Sequence, residues 1–198
     1  PMLALALRQS ARWRPMKIAE KLKIPKWDDA AVREAVQQAQ GPVFIATPDG
    51  TALDDIAAQT YRAAPDDIAR LGFAIAHALD ADAPPVADLS DRARALAESV
   101  AQALREAERP LVVSGPGCGS EAVMRAAANV AWALGASGEP AGLCFTMPEC
   151  NSLGVGIIGG GSVEAAFKAV EKKAADTVII LENDLYRRAD ALPVDALL

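Results

Sequence analysis

An α/β fold built on a parallel sheet is what the 198-residue sequence predicts, and three observations carry the prediction. From residue 90 onward, short apolar runs alternate with amphipathic stretches of helical spacing. Glycine and proline punctuate nearly every junction between them. The composition is that of a folded chain, 52% apolar, 23% charged and 5% aromatic. That is too apolar for disorder, and no run reaches the roughly 18 apolar residues of a membrane span. Alanine is the commonest residue, which favours many helices packed closely through small side chains.

The N-terminal elements follow from local signals. Pro15 can open a short helix through Leu22, and Pro25 ends it. Asp28 or Asp29 caps a second helix from about residue 30 to 40, closed by Gly41-Pro42. Residues 43–46 (VFIA) read as a short buried strand, and Pro48-Asp49-Gly50 as a turn. Residues 53–61 read as helical. Pro65-Asp66-Asp67 then opens an apolar-periodic helix to Leu79, its acids placed to oppose the helix dipole. Pro84-Pro85 is the clearest boundary: residues 1–84 form a helix-rich segment with one short strand packed on the same sheet, and residues 85–198 an α/β domain.

Beyond that boundary the pattern is regular. Residues 90–108 form a long helix with Leu96, Val100 and Leu104 spaced at four, stopped by Arg109-Pro110 before a strand at 111–113. A glycine-rich turn leads to a helix at 121–134, with Gly135 and Gly138 as terminators, and then a strand at 141–145. A glycine-rich connection over 154–161, a helix over 163–173 and a strand over 177–181 complete the series. Strand–helix–strand–helix–strand with short links demands right-handed crossovers, hence a Rossmann-like parallel sheet flanked by helices.

Charge is unevenly spread. Residues 1–26 carry Arg8, Arg12, Arg14, Lys17, Lys21, Lys23 and Lys26 against Glu20 alone, a net +6, so residues 27–198 carry −12 of the overall −6. A basic segment meeting an acidic neighbour, in this chain or another, competes with an ordinary solvated basic face. The acidic total argues against nucleic acid as a partner. Three cysteines are too few for a disulfide scaffold and suit a reduced, cytoplasmic setting. The start at Pro1 and the apolar run at 194–198 read as the ends of a piece of a longer protein.

The first candidate site is Ser114-Gly115-Pro116-Gly117-Cys118-Gly119-Ser120, between a strand and a helix. Such a turn lets backbone N–H groups face a phosphate, because glycine has no Cβ to block approach. The spacing is not that of the dinucleotide fingerprint, no acid ends the next strand, and no lysine follows for a P-loop. A nucleotide or pterin-phosphate site built from Gly115, Gly117, Gly119 and Ser120 is thus set against a tight structural turn, which is favoured. The second candidate runs from Asn151 to Ser162 and includes Gly160 and Gly161. Its rival is an irregular connection with Ser162 capping the next helix.

Glu182 and Asp184 would lie at the carboxyl end of the last strand, with Arg187 and Arg188 able to pair with them. Cys118, Cys144 and Cys150 lack the fourth ligand and the close spacing of an iron–sulfur cluster. The sole histidine, His77, sits in an apolar run and reads as a satisfied core or interface residue, so neither a metal centre nor a catalytic triad is evident. Trp13, Trp27 and Trp132 read as packing anchors, or as interface residues.

Four stretches carry a specific resemblance: residues 6–33, residues 51–80, the RPLVVSGPGCGSEAVMRAAANVAWAL run from Arg109, and residues 151–190. Together they resemble the large iron–sulfur subunit of bacterial NADH:quinone oxidoreductase, its G subunit, in the proteobacterial branch. The matching part of that family is the C-terminal region similar to molybdopterin oxidoreductases. The resemblance implies respiratory electron transfer from NADH through flavin and iron–sulfur clusters to quinone, on the cytoplasmic side of the inner membrane. It also implies clusters outside this stretch, a molybdopterin-type site that has lost its metal, and peripheral-arm subunits as partners, with no nucleic acid and no membrane insertion. On that basis the segment is expected to be a non-catalytic scaffold, inactive alone. The strand–glycine–helix pattern also resembles the middle domain of thiamine-diphosphate enzymes, and a free-standing nucleotide-binding module is a further rival. Neither explains the first 80 residues.

Overall fold

The computed structural model describes residues 2–25, 27–36, 41–136, 138, 141–147, 149 and 151–197. In chain order the elements are α1 (Met2–Ala11), α2 (Trp13–Lys21), α3 (Asp29–Val36), β1 (Phe44–Thr47), β2 (Gln59–Arg62), α4 (Pro65–Leu79) and α5 (Asp91–Glu106). There follow β3 (Leu111–Ser114), α6 (Glu121–Ala136), β4 (Gly142–Phe145), α7 (Ser152–Ile158), α8 (Val163–Glu171) and α9 (Ala191–Leu197). The chain divides into two compact units, residues 1–148 and 149–198.

The first unit is organised around α4, which packs on α5 and α6. Pro65 sits in the first turn of α4 behind an extended Ala64, and Asp66 and Asp67 face the positive end of its dipole. At α5 the Ser90 hydroxyl accepts from the Ala93 N–H at 3.2 Å, the cap its sequence calls for. The shared core comprises Leu71, Ile75, Ala76, Ala93, Leu96, Ala97, Val100, Ala101, Val130, Ala133 and Leu134, with Phe44, Tyr61 and Val112 packed at its margin. Five of those eleven side chains are alanines, so the helices approach closely. At Gly72 a Cβ would lie 2.8 Å from the Ala126 Cβ, which makes glycine necessary where α4 crosses α6.

Both sheets are parallel, as the α/β reading requires. In one, β1 pairs with β2 (Phe44 opposite Gln59, Thr47 opposite Arg62); in the other, β3 pairs with β4 (Leu111 opposite Gly142, Ser114 opposite Phe145). The helix-rich N-terminal portion, α4, α5, β3, α6, β4 and α8 fall where the sequence places them, within a few residues. The predicted end of α3 at residue 40 lies outside the described residues.

Five expectations are corrected. The 43–46 strand does not join the β3–β4 sheet; it forms a separate two-stranded sheet with β2. Residues 53–61 are not a helix but a short 3-10 turn (Asp54–Ile56) followed by β2. The reason is Asp54: its carboxylate takes the Thr51 hydroxyl at 2.7 Å and pairs with Arg62, tying the turn to the strand. The glycine-rich stretch after residue 151 is not all loop, because Ser152–Ile158 forms α7 with Gly154 and Gly156 inside it. Residues 177–181 join no strand ladder, and Ile179 and Leu181 stay about four-fifths exposed (79% and 81%). Gly135 does not stop α6; the helix runs to Ala136, and Gly138, at φ +89°, donates to the Gly135 carbonyl at 3.0 Å.

The N-terminal helix α1 was not legible, although Leu3, Ala4, Leu7 and Ala11 have helical spacing, because no capping residue announces it. At the end of α2, Lys23 takes φ +59° while the Ile24 N–H reaches back to the Ala19 carbonyl at 2.9 Å. This is a Schellman closure, and Ile24 packs against the Ala19–Val32 cluster that joins α2 to α3.

In the second unit the Ser162 hydroxyl caps α8 by accepting from the Ala165 N–H at 3.2 Å. Arg188 pairs with Glu149, and the Tyr186 hydroxyl donates to Asp195 at 2.7 Å. Among its described residues Val194 is the buried apolar side chain. No single described helix is long and apolar enough to cross a membrane; α7 and α8 meet the composition only jointly, bent by 53°.

Candidate functional site

The turn from β3 to α6 is built by close backbone approach. The Ser114 carbonyl accepts from the Thr146 N–H at 2.8 Å, which holds the end of β4 against the start of the turn. Gly115 is fully extended, a conformation open to any residue, but a Cβ there would meet the Thr146 carbonyl oxygen at 2.5 Å and its hydroxyl as well. Residues Pro116–Cys118 form a 3-10 turn, closed by the Gly119 N–H donating to the Pro116 carbonyl at 2.8 Å. Gly119 has φ +68°, the left-handed region that favours glycine, whereas Gly117 faces open space. The glycine pattern is thus explained by the turn itself at positions 115 and 119.

The helix end beyond the turn is already served. The Ser120 hydroxyl accepts from the Val123 N–H at 3.4 Å, and Glu121 places a carboxylate in the first turn of α6, paired with Arg125 at 2.7 Å. A phosphate arriving here would compete with a resident cap and meet a like charge. The second unit repeats the arrangement by itself. Gly159 and Gly160 take φ +81° and +155° between α7 and α8, Gly161 follows, and Ser162 caps α8. The Ser162 hydrogen bond holds the Glu164 carboxyl below its ordinary range. Gly115, Gly117, Gly119 and Ser120 therefore share one turn of the first unit, and Gly160 and Gly161 one junction of the second.

The remaining candidates do not converge on chemistry. Cys118 and Cys144 are half-buried free thiols, and Cys150 lies outside the described residues. Among the described residues no group of three His, Cys, Asp or Glu side chains is placed to hold a metal ion. His77 Nδ1 lies 2.6 Å from the Ala83 carbonyl oxygen, the satisfied arrangement expected of it. Asp184 is not at a strand end: it accepts from the Tyr186 N–H at 3.1 Å, capping a 3-10 turn, with Arg187 at 3.6 Å; Glu182 takes φ +46°. The tryptophans are not packing anchors. Trp13, Trp27 and Trp132 are 60%, 84% and 80% exposed.

Electrostatic links that sequence reading missed occur in the first unit. Arg8 forks onto both oxygens of Asp55, at 2.7 and 2.8 Å, and also reaches the Ala52 carbonyl. The guanidinium holds the Asp55 carboxyl below its usual range, and Asp55 raises Arg8 in return. Lys17 pairs with Glu108, lowering that carboxyl, while lying 5.7 Å from the Trp13 ring centre. Arg62 and Thr51 together hold Asp54 at about 2. Separations of 47 and 91 residues leave no local signal for the first two pairs.

Comparison with known proteins settles the relationship. No family model matches the chain. Over 196 residues, 99% of its length, it is 48% identical to the G subunit of NADH-quinone oxidoreductase from Pseudomonas fluorescens and to that from Pseudomonas putida. The chain matches a segment of that G subunit. Against the G subunit of Escherichia coli K12 the identity is 45% over the same length. The chain spans 22% of the length of these curated G-subunit relatives. The resemblance carried by residues 6–33, 51–80, 109–134 and 151–190 is thereby borne out.

Proposed function

We propose that this chain is a non-catalytic scaffold and docking segment of the large iron–sulfur subunit of NADH-quinone oxidoreductase, which passes electrons from NADH to quinone. The observation that carries this reading is identity of 44–48% to the G subunit across 99% of the chain. In this reading the clusters are held elsewhere in the subunit, and the stretch itself takes no cofactor. Its partners are the rest of its own subunit and other peripheral-arm subunits, on the cytoplasmic side of the inner membrane, without membrane insertion and without nucleic acid. The glycine turns of a molybdopterin-type ancestor, Gly115, Gly117, Gly119 and Ser120 in the first unit and, separately, Gly160 and Gly161 in the second, are vestigial as ligand sites. Serine caps and first-turn acids at both helix starts support this, since they occupy the positions an anion would need. Isolated, the chain does not oxidise NADH.

The test is a replacement of the matching stretch of the Pseudomonas putida G subunit by this chain, followed by NADH–quinone reduction in membranes. Deleting the stretch is expected to abolish assembly of the complex. Gly117→Ala and Ser120→Ala within it are expected to leave turnover within about twofold, since the second removes only a cap of about 1 kcal/mol. Loop variants that assemble normally but lose turnover would show a working site and overturn the scaffold reading.

A further inference from the structure

The +6 head of the sequence is resolved by the structure into two sets of cations. Arg8 and Lys17 are used inside the first unit, on Asp55 and Glu108. Arg12 and Arg14 are exposed and make no ion pair among the described residues; Lys21 is exposed too, with Glu108 within electrostatic reach. On α2 the residues Trp13, Lys17 and Lys21 follow one another at four-residue spacing, and Arg14 stands three before Lys17 and seven before Lys21, so all four share one helix face. The opposite face buries Pro15 and Ala19. Trp13 is 60% exposed with Lys17 beside its ring, and Leu22 and Trp27, just beyond the helix, are 57% and 84% exposed.

This face is locally unfavourable in three ways. Like charges at Arg14/Lys17 and Lys17/Lys21 repel at helical spacing. The first turn of α2 contains no acid, and Arg12 at its N-cap position makes no side-chain cap, so two arginines stand at the positive end of the dipole. Two tryptophans and a leucine remain in water. Helix stability explains none of these choices. Arginine and tryptophan side by side are what protein-binding centres are enriched in.

We propose that the exposed face of α2, centred on Trp13, Arg14 and Lys21, is a docking surface for an acidic patch on another protein. The proposal rests on the scaffold reading and names the surface by which the scaffold is held. Charge complementarity sets the occupant. The whole chain carries −6, so its far field repels polyanions such as duplex DNA or an anionic bilayer. Attraction survives only within about a Debye length, roughly 8–10 Å, of this patch. A partner must therefore present a compact set of carboxylates at that range, together with apolar groups to cover Trp13 and Leu22. A folded protein surface does both.

The probe is a fluorescein-labelled peptide of glutamates alternating with leucines, titrated with the full chain and followed by anisotropy. Arg14→Glu/Lys21→Glu is expected to weaken binding about tenfold or more, and Trp13→Ala similarly, with the glutamine pair Arg14→Gln/Lys21→Gln between. Unchanged circular dichroism is expected, since these side chains touch no core. Raising salt from about 50 to about 500 mM should weaken the wild type and leave the glutamate pair nearly unaffected. Equal affinity of wild type and charge-reversed chains would overturn the proposal. So would tighter binding to a duplex of about 20 base pairs or to phosphatidylserine vesicles than to the peptide. Self-association in sedimentation that the same substitutions abolish would overturn it too, assigning the face to a second copy. Failure here with silent loop variants in the membrane assay sinks only the docking face; success here with loop variants that lose turnover sinks only the scaffold reading.

Discussion

Replacing Gly72 by alanine tests whether the α4–α6 crossing is as close as the structure has it. The new Cβ would stand 2.8 Å from the Ala126 Cβ, so the helices must part by roughly half an ångström or more to restore van der Waals separation. Overpacking of this kind costs about 1–3 kcal/mol. Alanine in a helix interior returns about 0.5–1 kcal/mol over glycine. The net expectation is a loss of about 0–2.5 kcal/mol. Gly135 supplies the control, because it lies inside α6 with nothing within 4 Å of its hypothetical Cβ. Gly135→Ala should stabilise by about 0.5–1 kcal/mol. The difference between the two variants, about 1–3 kcal/mol, measures the crossing itself. Urea unfolding followed by far-ultraviolet circular dichroism reads it directly, and in a chain of this length each kcal/mol moves Tm by about 2–4 °C. The double variant Gly72→Ala/Ala126→Gly moves the methyl across the interface and should recover part of the loss, a coupling of about 1 kcal/mol. If Gly72→Ala stabilises as much as Gly135→Ala, the helices are not in close contact and this packing is wrong.

Three further outcomes are expected. Asp54 is held at about 2 against an ordinary 3.8, first by Arg62 and then by Thr51. A depressed carboxylate contributes stability above its unfolded value and loses it as pH falls through the folded one, so the advantage of wild type over Asp54→Asn should be full above about pH 4 and fade between 3.8 and about 2; urea midpoints that keep a constant gap down to about pH 2 would contradict this. Lys23→Gly should raise stability by about 1 kcal/mol, because a non-glycine residue at the left-handed helix closure is strained; an unchanged or lowered midpoint would refute it. Hydrogen exchange should show the amides of residues 178–181 unprotected within seconds while those of α4, α5 and α6 persist, since the former join no ladder and the latter frame the core.

What the sequence disclosed and what it hid divide along physical lines. Residues 65–79 were legible because Pro65, the first-turn acids and the apolar period all agree, and the helix has those bounds. The Ser162 cap was legible from a serine placed just before an apolar-periodic stretch. The stretch from 53 to 61 was misread because Asp54 and Asp55 resemble first-turn acids, whereas their partners, Arg62 and Arg8, are set by tertiary position. The apolar run at 178–181 has strand composition, but a strand exists only when another pairs with it, and composition carries no information on that. At the candidate site the glycines and the tight turn they serve were legible, and the neighbour that Gly115 meets was not. Gly115 is there because Thr146, far along the chain, comes against it, and only the β3–β4 register reveals this. Arg12 and Arg14 were visible as part of a basic head; that two of the seven cations, Arg8 and Lys17, pair with Asp55 and Glu108 needed coordinates.

Whether the glycine turns hold a ligand is decided most directly by thermal unfolding of the purified chain in the presence of NADH, FAD, coenzyme A and guanine nucleotides. A ligand at about a hundred times its Kd would stabilise by about 2.7 kcal/mol, a rise of several degrees. A scaffold whose helix starts are filled by Ser120, Glu121, Ser162 and Glu164 should show no saturable shift with any of them. A saturable rise that Ser120→Ala or Gly117→Ala removes would contradict it, and would make this segment a working binding site.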